Sequence, residues 1–562
     1  LALRRLKTRE NQSGDKTGAG VSVISRYTLR LLSIQQFRRA LGVITACELL
    51  RVLGLKDGKP AGWRPAQYPY QDKFLWGGLR FSAGLWVGGD VTPNALQGFG
   101  PIPASQNTYF AGALDILRGL SKSYDGPDPA LRRLTQYPIS IKGEPAQVTQ
   151  CPACGTVLAI PSEGLGKGDH TLHFLYTGGK AATSLDGSIN PPDGITIRDI
   201  RIRPRETSCV CSVYLTIAGH ALLKSDMVDK WWEGTLKPGL SAPGKEAQLQ
   251  SARASRPGYF ILHYENLQRN QIPADFEIFC PNPDCELNQH AWAEQVPLSL
   301  KYQGKSSKAV RQMALGFNSV ADSDLPEIIY SGLEWQSPLD CFSSPDLGKK
   351  SYAIPIPACT VDDQVYHRVP SLIIATADKF ARLAFEADAA ALFGNVTHYH
   401  SRFGYYRIGS PPGVLSQSSK TYDPHPKGFD GKNTLHCEVE PFCPPDLILQ
   451  DELHLIEGPL GSMVGLYETA VDYLCQCEKQ GIKFGPKYIA STATVRRAES
   501  QVQALFQRRL MQFPPPAISA DERFFATHQE THPLNTNRAG RLYVTSDVNY
   551  NKEAGRISKV WT

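Results

Sequence analysis

The sequence predicts an α/β protein with a parallel sheet that is interrupted by a large β-rich insertion. Four apolar, β-branched runs are each followed by a helical pattern of apolar residues, an alternation typical of parallel sheets. Between about residues 60 and 360 the composition changes to Gly, Pro, Ser and paired cysteines, with short β-like runs such as HTLHFLYT and YFILHYENL. We therefore expect the sheet to come from the flanking parts of the chain.

The four strand–helix units follow one another along the chain. The first is GVSVISRYTLRLL, which leads into a helical pattern that ends at Gly54. The others are SLIIATADKFARLAFEADAAALFG, DLILQDELHLIEGPLGSMVGLYETAVDYLC and KYIASTATVRRAESQVQALFQ. Parallel sheets of this kind place their ligand sites at the carboxyl ends of the strands. The polar motif residues of these units are all predicted at those ends.

Length and composition fit a globular protein of several domains, with 562 residues, 41% hydrophobic and 20% charged. The sequence contains no run of eighteen apolar residues, and its basic start lacks the apolar core of a secretory signal. We expect a cytoplasmic protein that does not bind membranes. The opening LALRRLKTRE resembles a helix already under way, so we expect further chain before it.

The net charge of +6 is concentrated at the start of the chain. Residues 1–60 contain 12 Lys/Arg against 4 Asp/Glu, an excess of +8 that leaves −2 for the remainder. A basic patch of this kind suits a polyanion such as nucleic acid. A solvated helix face would give the same pattern.

The cysteine pattern predicts a metal site rather than disulfides, because the chain is large, lacks a secretion signal and pairs several of its thiols. Cys151-Pro-Ala-Cys154-Gly155 is a knuckle that directs two thiolates at one metal. Cys280 and Cys285, with four residues between them, form a plausible second knuckle. Cys151, Cys154, Cys280 and Cys285 are therefore predicted to hold a structural Zn²⁺.

Other candidates for ligands are weaker. Cys209 and Cys211 compete for the second half of the zinc site, but alternating positions on a strand explain them slightly better. His398 and His400 have no third ligand at a motif spacing. Trp86 could stack on a base, although a tryptophan beside glycines is more often part of a core.

Two adjacent carboxylates follow the apolar run Leu447-Ile448-Leu449. At the end of a buried strand, Asp451 can orient Mg²⁺ through its water shell while Glu452 positions and deprotonates the attacking water, as in nucleotide hydrolases. About forty residues later, a second apolar strand ends in Ser491-Thr-Ala-Thr494. This hydroxyl-rich turn can hydrogen-bond His454.

The order of these motifs resembles the first RecA-like domain of superfamily-two DExH helicases, a P-loop NTPase fold. The motifs that carry the resemblance are SRYTLRLLSIQQF, LIIATADKFARL, DLILQDELHLIEGPLGS and YIASTAT. Together with GLWVGGDVTPN and the CPxCG knuckle, they are most similar to the helicase subunit family of the DISARM anti-phage defence system, DrmA. The resemblance runs through nearly the whole chain.

The resemblance implies an ATP-dependent DNA helicase or translocase with Mg²⁺-ATP as its cofactor. It assigns Asp451, Glu452 and His454 to catalysis, and Ser491, Thr492 and Thr494 to coupling between hydrolysis and DNA movement. It also assigns Arg26, Thr28, Thr376 and Lys379 to the path of one DNA strand. Other subunits of the defence system are the implied partners.

Two departures from the family pattern are visible in the sequence. No G-x-x-x-x-G-K-[ST] phosphate loop occurs, since SGDKTGAG (13–20) and TGGKAATS (177–184) both have the wrong spacing. RAGRLYVT near the end could begin a second RecA-like domain, but no arginine finger is identifiable. We therefore expect this chain alone not to hydrolyse ATP.

These observations predict four segments. Residues 1–60 begin the first RecA-like domain, 61–360 form the zinc-containing insertion, 361–505 complete the domain, and 506–562 begin a second one. A different class of function remains open, that of a zinc-containing DNA-binding scaffold whose motor motifs are vestigial.

Overall fold

The computed structural model describes residues 1–9, 18–53, 80–100, 108–179, 189–205, 208–265, 271–288, 292–293, 350–351, 353–400, 404–407, 436–438, 441–479, 481–492, 498–515, 518 and 522–527. By their contacts, residues 1–496 and 497–562 form two compact units.

Regular structure runs through both units. The α-helices are α1 Ala2–Arg9, α2 Arg30–Leu53, α3 Ala113–Leu117, α4 Pro129–Leu134, α5 Ser225–Trp231, α6 Lys237–Leu240, α7 Asp362–Arg368, α8 Ala377–Phe380, α9 Gly458–Leu474 and α10 Ala498–Phe506. A π-helical turn spans Trp232–Leu236, and 3₁₀ turns span Glu286–Asn288, Leu383–Phe385, Ala387–Phe393 and Leu453–Leu455.

The strands are numbered in chain order. They are β1 Val23–Tyr27, β2 Ala83–Trp86, β3 Tyr109–Phe110, β4 Ile139–Ser140, β5 Gly168–Thr177, β6 Ile195–Pro204, β7 Cys209–Ile217, β8 Gln248–Leu249, β9 Tyr259–Glu265, β10 Gln271–Ile278, β11 Trp292–Ala293, β12 Lys350–Ser351, β13 Ala358–Cys359, β14 Leu372–Thr376, β15 His398–His400, β16 Gly404–Tyr406, β17 His436–Glu438, β18 Leu447–Gln450, β19 Cys477–Lys479, β20 Ile482–Phe484, β21 Lys487–Ala490, β22 Glu522–Arg523 and β23 Ala526–Thr527.

The main sheet has six strands in the order β13-β2-β14-β1-β18-β21. Every neighbouring pair is parallel. In the register, Arg26 of β1 lies opposite Ala375 of β14 and Gln450 of β18. The carboxyl ends of β14, β1 and β18 therefore meet at one edge, which confirms a mixed α/β fold with a parallel sheet.

Burial falls off across this sheet. Strand β2 is buried along its whole length, whereas β21, which lies at one edge of the sheet, is mostly exposed. Helix α2 packs on the sheet through Phe37, Leu41 and Ile44, which share a core with Leu85 and Ile374. Burying large apolar side chains against a sheet is the main stabilising term for such a layer.

A second, antiparallel sheet in the order β6-β7-β5-β8 lies in the middle of the chain. Its core includes Trp231, Trp232 and Phe174. Cys209 and Cys211 belong to that same core. They occupy alternating buried positions on β7, the interpretation that the sequence slightly favoured.

The basic start of the chain is partly internal. Arg4, Arg5, Arg26 and Arg51 are buried. The Arg4 guanidinium donates hydrogen bonds to the carbonyls of Val21 and Pro444, each at 2.9 Å, and contacts the Asp446 carboxylate at 3.0 Å. Neither a nucleic-acid patch nor a solvated helix face describes these four cations, because they lie in the protein interior.

Two strands of the main sheet, β2 and β13, come from the range predicted as the insertion. The four-segment division of the chain stays a prediction. The strand expected in RAGRLYVT lies outside the described residues. Among the residues that are described, no helix combines the length and the apolar character needed to cross a bilayer.

Candidate functional site

The carboxylate motif lies at the carboxyl edge of the main sheet, immediately after β18. The Asp451 amide donates to the carbonyl of Arg26 at 2.9 Å, which extends the parallel ladder by one residue. On the other side, the Ser491 amide donates to the carbonyl of Gln450 at 2.9 Å, and the Leu453 amide donates to the carbonyl of Ser491 at 3.0 Å. These backbone bonds fix the motif between β1 and the turn that follows β21.

The side chains of this edge are already paired with one another. The Ser491 hydroxyl donates to Asp451 Oδ1. The His454 ring nitrogen Nδ1 lies 3.2 Å from Thr492 Oγ1 and 3.2 Å from Glu452 Oε2. The turn after β21 thus contacts both the aspartate and the histidine, the contact that the sequence predicted for His454. We call Asp451, Glu452, His454, Ser491 and Thr492 the carboxylate edge.

Glu452 has an unusual backbone conformation. Its φ of 52° and ψ of 47° lie in the left-handed region, which residues other than glycine seldom adopt. Strain of this kind persists where the surrounding structure enforces it, and it is found most often at functional sites. The conformation turns the Glu452 side chain toward His454, and both side chains stay about one-third exposed, at 37% and 32%.

The two cations assigned by resemblance to DNA are buried. Arg26 is 0% exposed and forms an ion pair with Glu468 of α9. Lys379 is 4% exposed and pairs with Asp362 of α7. Both residues lie at the same edge of the sheet as Asp451, but their charges are neutralised inside the protein.

The remaining residues of the predicted DNA path are also placed at this edge. Thr376 is the last residue of β14 and lies opposite Tyr27. The hydroxyls of Thr28 and Thr376 are buried, and within the described part of the chain neither has a hydrogen-bond partner. Thr494, predicted to act in coupling, lies outside the described residues.

The electrostatics of the Lys379 partner are unusual. Burial raises the pKa of Asp362 to about 7, although Lys379 acts in the opposite direction. The neighbouring carboxylates of Asp363 and Glu386 raise it further. Burial therefore opposes ionisation of Asp362, while its ion pair with Lys379 favours ionisation.

The four cysteines of the predicted metal site come together. Their ligand sulfurs all lie within 4.8 Å of one another. Sγ of Cys151 is 3.9 Å from that of Cys285, and Sγ of Cys154 is 3.5 Å from that of Cys280. Bonds of about 2.3 Å to one tetrahedral zinc put sulfurs roughly 4 Å apart. Within the described residues this is the one such cluster of potential metal ligands, and Cys209 and Cys211 are not part of it.

We call Cys151, Cys154, Cys280 and Cys285 the cysteine centre, and its backbone shows how the four thiols are brought together. Gly155 has a φ of +73°, and its amide returns to the carbonyl of Cys151 at 2.8 Å, which closes the first knuckle. The second knuckle is closed by the Asn288 side chain, which donates to the carbonyls of Cys280 and Asn282, each at 2.8 Å. Asn288 was not identified from the sequence, because an isolated asparagine carries no motif.

The chemistry of the thiols suits a metal. Cys151, Cys280 and Cys285 are buried and Cys154 is exposed. Hydrogen bonds among the thiols lower the pKa of Cys154 and raise the pKa values of Cys280 and Cys285. Four soft sulfur ligands at tetrahedral separations can hold a metal such as zinc.

No family model matches the chain. Over 172 residues it is 42% identical to a curated protein from Bacillus paralicheniformis. The chain is similar to the DISARM protein DrmA. The aligned stretch is 30% of this chain and only 14% of that DrmA, so the chain spans a small part of its relative. The likeness agrees with the DrmA-like motifs of the sequence.

Proposed function

We propose that this chain is part of an ATP-dependent DNA helicase or translocase of the superfamily-two DExH class, built on a RecA-like sheet and working in DISARM defence. The observation that carries the proposal is the carboxylate edge. Asp451 and Glu452 follow β18, a partly buried parallel strand. Asp451 contacts Ser491 of the turn after β21 directly, and Glu452 contacts His454, which in turn contacts Thr492. The similarity to DrmA supports the defence role and the partnership with other DISARM subunits.

The division of labour within the carboxylate edge follows from its contacts. Asp451, held by Ser491, is the proposed ligand of the water shell of Mg²⁺, and it orients the phosphates of ATP. Glu452 is the proposed base for the attacking water. Because His454 joins Glu452 to Thr492, a change in nucleotide state can be passed to the turn after β21.

The test is Glu452→Gln in the complete gene product, with ATP hydrolysis measured with and without DNA. General-base catalysis contributes roughly 10²- to 10⁴-fold, so we expect turnover to fall by at least about 100-fold while ATP binding is retained. Glu457→Gln alters an exposed carboxylate five residues later and serves as the matched control. Wild-type turnover in Glu452→Gln would refute the role of Glu452, and absence of DNA-stimulated hydrolysis in the wild type would refute the motor.

DNA is the proposed substrate, with Arg26, Thr28, Thr376 and Lys379 along its path. The structure sets a condition for this part of the proposal. A phosphate can reach Arg26 or Lys379 only if the buried ion pairs with Glu468 and Asp362 open. Contacts to phosphate would make binding insensitive to sequence and strongly dependent on salt.

The metal in the cysteine centre is proposed to be Zn²⁺ in a structural role. A fully protein-ligated Cys₄ set leaves no open position for a substrate, which is the arrangement of structural zinc sites. Cys151, Cys280 and Cys285 also share a hydrophobic core with α2 and β2. Zinc would therefore stabilise the sheet as well as the insertion.

The cysteine centre also supports an alternative function, a zinc-containing DNA-binding scaffold. All four metal ligands of that centre lie in this chain, whereas the sequence contains no phosphate loop. A scaffold would bind DNA with unchanged affinity in Glu452→Gln and show no ATP hydrolysis in the wild type. The hydrolysis assay above separates the two functions.

A further inference from the structure

Arg26 is the first member of a buried series of contacts at the carboxyl edge of the sheet. Its guanidinium pairs with Glu468 of α9 and lies over the ring of Phe380, 5.3 Å from the ring centre. Phe380 in turn packs edge-on against Trp86, with ring centres 5.0 Å apart. These contacts connect α9, which follows the carboxylate edge, to the last residue of β2.

The series continues from Trp86 to the other buried cation. The Trp86 indole donates a hydrogen bond to the Tyr366 hydroxyl at 3.0 Å, and that hydroxyl lies 3.5 Å from Asp362 Oδ2. Asp362 pairs with Lys379, whose ammonium also contacts Asn94 Oδ1 at 3.3 Å.

Helix α7 clamps the loop that follows β2. The Asp363 carboxylate accepts a hydrogen bond from the Leu96 amide at 2.8 Å, and the Asp363 amide donates to the Asn94 carbonyl at 3.2 Å. The loop 87–94 is thus attached to the buried series at both Trp86 and Asn94.

We propose that Arg26 and Lys379 are positioning residues that couple α9 to the loop 87–94 through this buried series. We call its members the buried relay, namely Glu468, Arg26, Phe380, Trp86, Tyr366, Asp362, Lys379 and Asn94. All members except the exposed Asn94 are buried. Between buried groups, charge pairs and hydrogen bonds are strong and unpaired charges are unfavourable. Movement of α9 is therefore transmitted to a loop that lies three strands away in the sheet.

The two carboxylates of the buried relay do not use all of their hydrogen-bonding capacity. Glu468 Oε2 and Asp362 Oδ1 are buried, and neither has a hydrogen-bond partner within the described residues. Each carboxylate therefore holds its cation through one oxygen only. A displacement of α9 or α7 changes these pairs directly, because the second oxygen of each carboxylate has no hydrogen bond among the described residues that would hold it in place.

The test measures hydrogen exchange by mass spectrometry in the complete chain with Glu468→Gln, and uses neither nucleotide nor DNA. Its outcome is therefore independent of the proposed ATP hydrolysis. We expect exchange in residues 84–94 to increase at least about threefold, the scale of couplings between contacting residues. Asp472→Asn, one turn later on α9, is the matched control and should leave 84–94 unchanged. Residues 168–177 of β5 report on global stability.

Increased exchange confined to α9 and β1, with 84–94 unchanged, would overturn the buried relay. If Glu468→Gln also increases hydrogen exchange in residues 168–177, the chain has unfolded. The double variant Arg26→Met/Glu468→Leu is then measured instead. This variant removes both charges and retains apolar packing, a replacement that folded proteins tolerate. Increased exchange at 84–94 with β5 protected then supports the buried relay, and wild-type exchange at 84–94 refutes it.

Discussion

The cysteine centre and the carboxylate edge are built in opposite ways. Three of the four sulfurs are buried in a hydrophobic core, and all four come from this chain at separations that match one metal. Glu452 and His454 are about one-third exposed, and among the described residues their side chains contact each other and the turn after β21. A structural site needs rigid, complete ligation, whereas a site that binds and releases a nucleotide must stay open.

The largest effect is expected from a substitution that removes one ligand of the cysteine centre. Cys280→Ser replaces a fully buried sulfur ligand, so we expect bound zinc to fall from about one to about zero per chain and the protein to lose several kcal/mol of stability. Elemental analysis and thermal unfolding measure both quantities. Cys47→Ser, at a half-buried thiol outside the cluster, is the control.

Retention of stoichiometric zinc in Cys280→Ser would mean that the four-cysteine set is wrong. Loss of zinc without destabilisation of the main sheet would instead mean that the metal does not stabilise the sheet through their shared hydrophobic core. Hydrogen exchange in α2 separates these two outcomes.

A smaller effect concerns the buried acid Asp362 rather than the open acids of the carboxylate edge. Its pKa is about 7 in the folded chain and near 3.8 when unfolded, because burial disfavours the carboxylate. The folded state therefore holds the extra proton between about pH 4 and 7, and this contribution to stability is lost as pH rises through that window. Local opening of α7 should increase over the same range.

The measurement is hydrogen exchange of residues 362–368 at several pH values, corrected for the intrinsic pH dependence of exchange. Asp362→Asn removes one titrating group, so the pH dependence of opening should weaken in this window, even if the variant is less stable. Burial also raises the pKa values of the neighbouring Asp363 and Glu386, which account for any pH dependence that remains. An unchanged pH dependence in Asp362→Asn would assign the effect to another group.

The smallest expected effect separates the two roles proposed for Arg26 and Lys379, contact with DNA and positioning within the buried relay. If Arg26 and Lys379 act only within the buried relay, Arg26→Gln and Lys379→Gln should leave the salt dependence of DNA binding unchanged. If they contact phosphates of single-stranded DNA, each substitution should reduce the slope of log K against log salt by about 0.7. Fluorescence anisotropy with a labelled oligonucleotide over a range of salt concentrations gives this slope. Arg39→Gln, on α2, is the control for a basic residue outside the relay.

The sequence alone identified much of the parallel sheet. The strands at Val23, Leu372, Leu447 and Lys487 were expected from apolar runs that end in polar residues. The strands β2 and β13 were not, because short strands inside a Gly- and Pro-rich region carry little periodic signal. Their place in the sheet depends on partners that are distant in sequence.

Residue type and spacing identified the knuckle at Cys151 and Cys154 and the positions of the carboxylate motif, since a knuckle or a strand-end acid is a local pattern. The choice of Cys280 and Cys285 over Cys209 and Cys211 was decided by the structure. Whether the charged side chains are exposed or buried in ion pairs was decided only by the tertiary structure. The family resemblance assigned Arg26 and Lys379 to the path of a DNA strand, but in the structure both are buried in ion pairs with Glu468 and Asp362. Arg26 and Glu468 are 442 residues apart and Lys379 and Asp362 are 17 apart, so neither ion pair has a signature in neighbouring sequence positions. Their formation depends on how helices pack over the completed sheet.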